Sequence, residues 1–239
     1  MKNTFAFPDP KDRQLHRWSV VMTLYCLALL AGRWMQSGAD EWTALPVAEL
    51  ASHRGHPTFL FLPWNLFLAW IPYWFSTALR KTATGRTEWG VQGAVFLAWM
   101  LFFPNAPYLI TDLLHLRART DAPYWYDLML LLSFAMAGLI LGLLSLREIH
   151  RWLRRWLPPP LEWPAIALLL AAGSYGIFIG RFLRFNSWDL LIDPLDIGRG
   201  LLHPLLAPGR YESTLGLFPV LTVFLGLIYF LFHLLLEKE

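Results

Sequence analysis

The feature that most restricts how this chain can fold is a series of six apolar runs, at about residues 15–36, 58–79, 89–110, 124–146, 161–183 and 213–236. At 1.5 Å rise per residue, a helical run of about twenty residues crosses a hydrocarbon core of about 30 Å. Between the runs lie stretches such as Arg80-Lys81-Thr82-Ala83-Thr84-Gly85-Arg86 and Arg151-Trp152-Leu153-Arg154-Arg155-Trp156-Leu157-Pro158-Pro159-Pro160, too charged or too stiff to continue a lipid-exposed helix. The pattern predicts an all-α, polytopic transmembrane helix bundle of about six spans, forming one integral membrane domain over residues 1–239. Composition agrees, with 56% apolar and 15% charged residues and a mean hydropathy of +0.42. An ordinary water-soluble domain, a coiled coil and a disordered chain are excluded.

Positive loops are retained in the cytoplasm, so alternate loops fix the orientation. The side holding both termini carries twelve Lys and Arg, among them Lys2, Lys11, Arg80, Arg147, Arg155 and Lys238. The other side carries six, namely Arg54, Arg117, Arg119, Arg184, Arg199 and Arg210. Both termini are therefore expected in the cytoplasm, and the loops 37–57 and 184–212 outside. The basic pI then reflects topology, and nucleic acid is not expected as a partner. The first run is expected to stay as an anchor because its leader is long and Arg33 interrupts its end; it does not look like a cleaved signal.

Polar groups inside a bilayer are costly, so their depth is informative. In the expected orientation they gather toward the outer face. Asn65 lies in the second run between Pro63 and Pro72. The third run breaks at Phe103-Pro104-Asn105-Ala106-Pro107-Tyr108 and continues through Thr111, Asp112 and His115. The fourth begins with Trp125-Tyr126-Asp127, and the fifth ends with Arg181, Arg184, Asn186, Trp188 and Asp189. The inward halves read as almost purely apolar. At 100° per residue, Asp127, Gly138, Gly142 and Ser145 share one side of the fourth run, and Gly173, Gly176, Gly180 and Arg184 a face of the fifth. Small residues let membrane helices approach closely, so these two helices are expected to pack together and to bring Asp127 to Arg184. That pair serves either as a structural bridge or beside an anion site in which Arg181 and Arg184 hold a phosphate or carboxylate, helped by Asn186 and Tyr108.

Asp112 and His115 stand one helical turn apart and are the candidate catalytic acid or base, but two ligands do not make a metal site. Asp189, Asp193, Asp196 and His203 match no metal motif, and a solvated acidic loop accounts for them. No metal or cofactor is expected. The Pro104-Asn105-Ala106-Pro107 break either ends a helix, with Asn105 capping a short helix at 108–116, or lines a cavity. Hydrolase, zinc-protease, P-loop and dinucleotide motifs are absent, and Ser174, in a glycine-rich helix, reads as a packing residue. Residues 197–207 read as an interfacial segment. The single cysteine, Cys26, excludes an internal disulfide.

Four segments carry a resemblance: Phe61-x-x-Trp64-Asn65-Leu66-Phe67-Leu68-Ala69-Trp70-Ile71-Pro72, Pro104-Asn105-Ala106-Pro107-Tyr108-x-x-Thr111-Asp112-Leu113, Trp125-Tyr126-Asp127-Leu128 and Gly180-Arg181-Phe182-x-Arg184-x-Asn186-Ser187-Trp188-Asp189. Over about residues 58–230 the chain resembles an uncharacterised family of bacterial multi-pass membrane proteins, catalogued as domain of unknown function 1361. The resemblance implies a location in the bacterial cytoplasmic membrane and supplies no activity.

The residues themselves favour a binding or assembly subunit whose outer polar pocket (Asn65, Asn105, Tyr108, Asp127, Arg181, Arg184, Asn186 and Asp189) takes an anionic or lipid ligand. The expected partners are the lipid bilayer, an anionic lipid or lipid-linked molecule, and another membrane protein. The alternatives are a membrane enzyme using Asp112 or His115 on a lipid-linked or anionic substrate, and a transporter, which the lack of repeats weakens.

Overall fold

The computed structural model describes residues 10–36, 59–81, 89–119, 122–185, 194–207, 209 and 211–236. Every regular element among them is helical. Helix α1 covers Pro10–Gln36, α2 Phe61–Lys81, and α3 Trp89–Phe102. The single turn α4, Asn105–Tyr108, leads into a 3₁₀ segment at Leu109–His115. Helix α5 runs over Tyr124–Leu153 and α6 over Pro159–Phe178, the latter continuing as a π turn at Ile179–Leu183. Helix α7 is Pro194–Leu206, α8 is Glu212–Leu215, and α9 is Leu217–Leu236.

Five stretches are long and apolar enough to cross a membrane: Pro10–Gln36, Trp89–His115, Tyr124–Leu153, Pro159–Leu183 and Leu217–Leu236. Helix α2 is long enough at 21 residues but less apolar, because Asn65, Pro63, Pro72 and three tryptophans dilute its aliphatic content. Two boundaries differ from the sequence expectation. Helix α5 runs on past residue 146 to Leu153, since neither Gly nor Pro interrupts it and its charges find partners. Helix α6 absorbs two of the three prolines. Pro158 is its extended N-cap, and the next two occupy the first positions, where the missing N–H would have had no partner anyway.

The chain divides into two compact units, one drawn from residues 1–67 and 109–140, the other from 68–108 and 141–239. In the first, Tyr126 donates to the Leu29 carbonyl at 2.8 Å and faces Gly32, where a Cβ would strike its hydroxyl. Leu62, Leu66, Leu109, Leu130 and Phe134 fill the interior.

In the second unit the helix break is the packing centre. A methyl on Gly173 would come within 2.6 Å of the Phe103 ring, one on Gly176 would strike Pro104, and Gly180 and Gly142 face Tyr108 and Pro107. The glycine stripes of α5 and α6 therefore receive the Phe103–Tyr108 segment. The rings of Phe and Pro take the space that absent side chains leave, while nearer the other end of α5 His150 packs directly against Trp163 of α6. Ser174 is fully buried beside Gly173. In lipid, association rests on this close van der Waals contact rather than on burial from water. Helix α9 packs along α6.

Candidate functional site

Asp127 lies in the first turn of α5, where the positive end of the helix dipole favours a carboxylate. It is fully buried. Arg33 Nε donates to its Oδ1 at 2.6 Å, and Arg119 Nε stands 3.5 Å from Oδ2. The Arg119 guanidinium also covers the Phe59 ring at 4.9 Å. Asp127 is thus taken by Arg33 and Arg119, arginines of its own unit. From sequence Arg33 is expected only to interrupt the end of the first run, whereas the structure makes it the closest partner of Asp127. Its position three residues before the end of α1 is the signal for a buried cation at that level.

In the same unit Asn65 Nδ2 donates to Asp112 Oδ2 at 3.0 Å, and Asp112 is buried. His115 follows one turn later in the 3₁₀ segment, where i and i+3 align, and rests against the Phe61 ring at 4.8 Å. Asp112 and His115 therefore do share a face.

In the second unit, Arg181 sits on the π turn. Its Nη1 donates to the Tyr108 hydroxyl at 3.5 Å, with the guanidinium 5.8 Å from that ring. Arg184 terminates the turn in the left-handed region, at φ 61°. A side chain there costs about 1 kcal/mol or more, and π turns cluster at functional sites. Arg184 is exposed, and no carboxylate among the described residues pairs with it. Asn105, the first residue of α4, also ties back to the helix before it. Its Nδ2 donates back to the Phe102 carbonyl at 3.0 Å, closing the end of α3 where Pro104 removes a donor. Asn186, Trp188, Asp189 and Asp193 lie outside the described residues, as does the side chain of Asp196.

The far end of α5 holds a network that the charge count hid by treating residues 147–160 as loop. Glu148 receives Arg151 at 3.2 Å and Arg80 at 3.5 Å. Glu162 receives Arg154 at 2.9 Å and His150 Nε2 at 3.5 Å. With Nε2–H toward Glu162, His150 Nδ1 accepts from the Tyr229 hydroxyl at 2.8 Å. Trp99 donates to Ser145 at 2.6 Å and Trp152 to Gln92 at 3.1 Å. These helix halves are polar at their packed faces, contrary to the apolar reading. The signal was Glu148-x-x-Arg151, a helical pair spacing. Among the described residues no group of three His, Cys, Asp or Glu is placed to hold a metal ion.

Residues 64–232 match the family described as "Protein of unknown function (DUF1361)". The chain belongs to that family. The DUF1361 match contains Asn65, Asp112, Asp127, Arg181 and Arg184, whereas Arg33, the closest partner of Asp127, stands before it. No curated protein and no solved structure matches the chain.

Proposed function

We propose that this DUF1361 protein is a six-span protein of the bacterial cytoplasmic membrane with both termini in the cytoplasm, α2 being the sixth span. In this reading it is a binding or assembly subunit that holds an anionic group, as on a lipid headgroup, at its outer side. Arg184 and Arg181 supply the charge and Tyr108 a hydroxyl, with Asn186 and Asp189 in the adjoining loop. One observation carries the reading: Asp127 is committed to Arg33 and Arg119, which leaves an exposed Arg184 held in a strained left-handed conformation at the end of a π turn. A guanidinium in that setting suits bidentate recognition of phosphate or carboxylate. Asp112 is fastened to Asn65 across two elements, which suits a helix tie better than a mobile catalytic base.

The test is native mass spectrometry in mild detergent, with phosphatidylglycerol and inorganic phosphate added in separate samples to wild type and Arg184→Ala. Retention of lipid by wild type and its loss in an equally stable variant supports a headgroup site. Retention of phosphate alone supports a soluble anion. Absence of both from wild type overturns the reading.

A further inference from the structure

Helix α7 has two unlike faces. On one, Gly200 lies against Phe185, whose ring occupies the space a Cβ would need, and Pro204 is buried. On the other, Leu195, Leu202 and Leu206 fall within about 40° of one another at 100° per residue. They are 76%, 56% and 79% exposed. Arg199 flanks this stripe and is exposed.

Depth decides what covers the leucines. The Tyr175 hydroxyl donates to the Leu201 carbonyl, which fixes α7 beside α6. Tyr175 lies eight residues before Leu183, the end of the apolar stretch Pro159–Leu183, and so about 12 Å inside that end at 1.5 Å per residue. Side chains lean toward the N-terminus of their helix, so the tyrosine does not lift α7 past the end of α6. A second tether, His203 Nδ1 to the Tyr211 hydroxyl at 3.1 Å, holds the other end of α7. The helix thus runs at the level of a membrane-spanning stretch, with three leucines turned away from the protein. We infer that α7 is an in-plane helix whose Leu195, Leu202 and Leu206 enter the acyl chains of one leaflet, while Arg199 reaches back to the lipid phosphates.

This rests on the membrane reading, and the controls separate the two. Nitroxide labels at Leu195→Cys, Leu202→Cys and Leu206→Cys are read in the full chain, reconstituted in phosphatidylethanolamine and phosphatidylglycerol vesicles. Val223→Cys on α9 serves as the lipid reference and Arg155→Cys as the water reference. Cys26 is buried and stays in place, with wild type as the labelling background. The expected oxygen-to-nickel collision ratio at all three leucine positions matches Val223→Cys and is several-fold above Arg155→Cys. Ratios like Arg155→Cys with a lipid-like Val223→Cys overturn the in-plane helix alone. Inaccessibility to both reagents overturns it in favour of a protein cover, such as a second copy. A water-like Val223→Cys overturns the membrane reading itself.

Discussion

Around Asp127 two guanidinium groups converge on one buried carboxylate, whereas at the end of α6 an exposed guanidinium stands with no carboxylate among the described residues. Glu148, between Arg80 and Arg151, and Glu162, between Arg154 and the His150 imidazole, behave like Asp127 on buried or half-buried faces. A charge in low dielectric persists only when it is paired, so these clusters fasten helices. Arg184 fastens nothing that is described and carries backbone strain as well. The contrast separates charges that hold the fold from one that meets no carboxylate among the described residues.

The largest test of that contrast is Arg33→Met. It leaves the buried carboxylate with the half-exposed Arg119 alone and is expected to cost about 3–5 kcal/mol. Thermal unfolding in mild detergent measures it, and the double variant Arg33→Met with Asp127→Leu should recover most of the loss. A single variant as stable as wild type would remove Asp127 from the structural class. Next is Glu162→Gln, which weakens the acceptor shared by Arg154 and His150, with an expected loss of about 2–3 kcal/mol in the same melt. Gly173→Ala should cost about 1–3 kcal/mol by pushing the Phe103 ring out of its contact, while Gly226→Ala, mid-helix with open space around it, should cost nothing and can gain up to about 1 kcal/mol.

The smallest effect has the opposite sign. Arg184→Gly relieves the left-handed conformation and is expected to leave stability unchanged or raise it by about 1 kcal/mol, while retained phosphatidylglycerol falls in native mass spectra. A destabilised Arg184→Gly would move this arginine to the side of Asp127 and end the comparison.

Much of the site was legible as residue types. Asn65, Asp127 and Arg181 are polar groups in apolar runs, with Asp112 and Arg184 just past the ends of theirs, and their cost in lipid makes them conspicuous. Their partners were not legible. Asp127 pairs with Arg33, 94 positions away in sequence, and a helical wheel carries no information about which neighbour a face meets. The network around Glu148 was missed for another reason. A cluster of arginines reads as a water-exposed loop unless the helix beneath it is followed past its apolar part.

Hydropathy accumulates residue by residue, so the sequence alone determined that the chain is all-α, where its apolar helices lie and where prolines interrupt them. It also determined the membership in DUF1361 on which the matched segment rests. Tertiary structure decided that the glycine faces of α5 and α6 receive the Phe103–Tyr108 break, and that Asp127 is taken by Arg33 and Arg119. It also decided that α7 is tied to α6 through Tyr175, with Leu195, Leu202 and Leu206 exposed. Those outcomes depend on which surfaces fit at van der Waals distance and which charges meet in a medium that tolerates none alone. Both are properties of segments far apart in the chain, and no local window contains them.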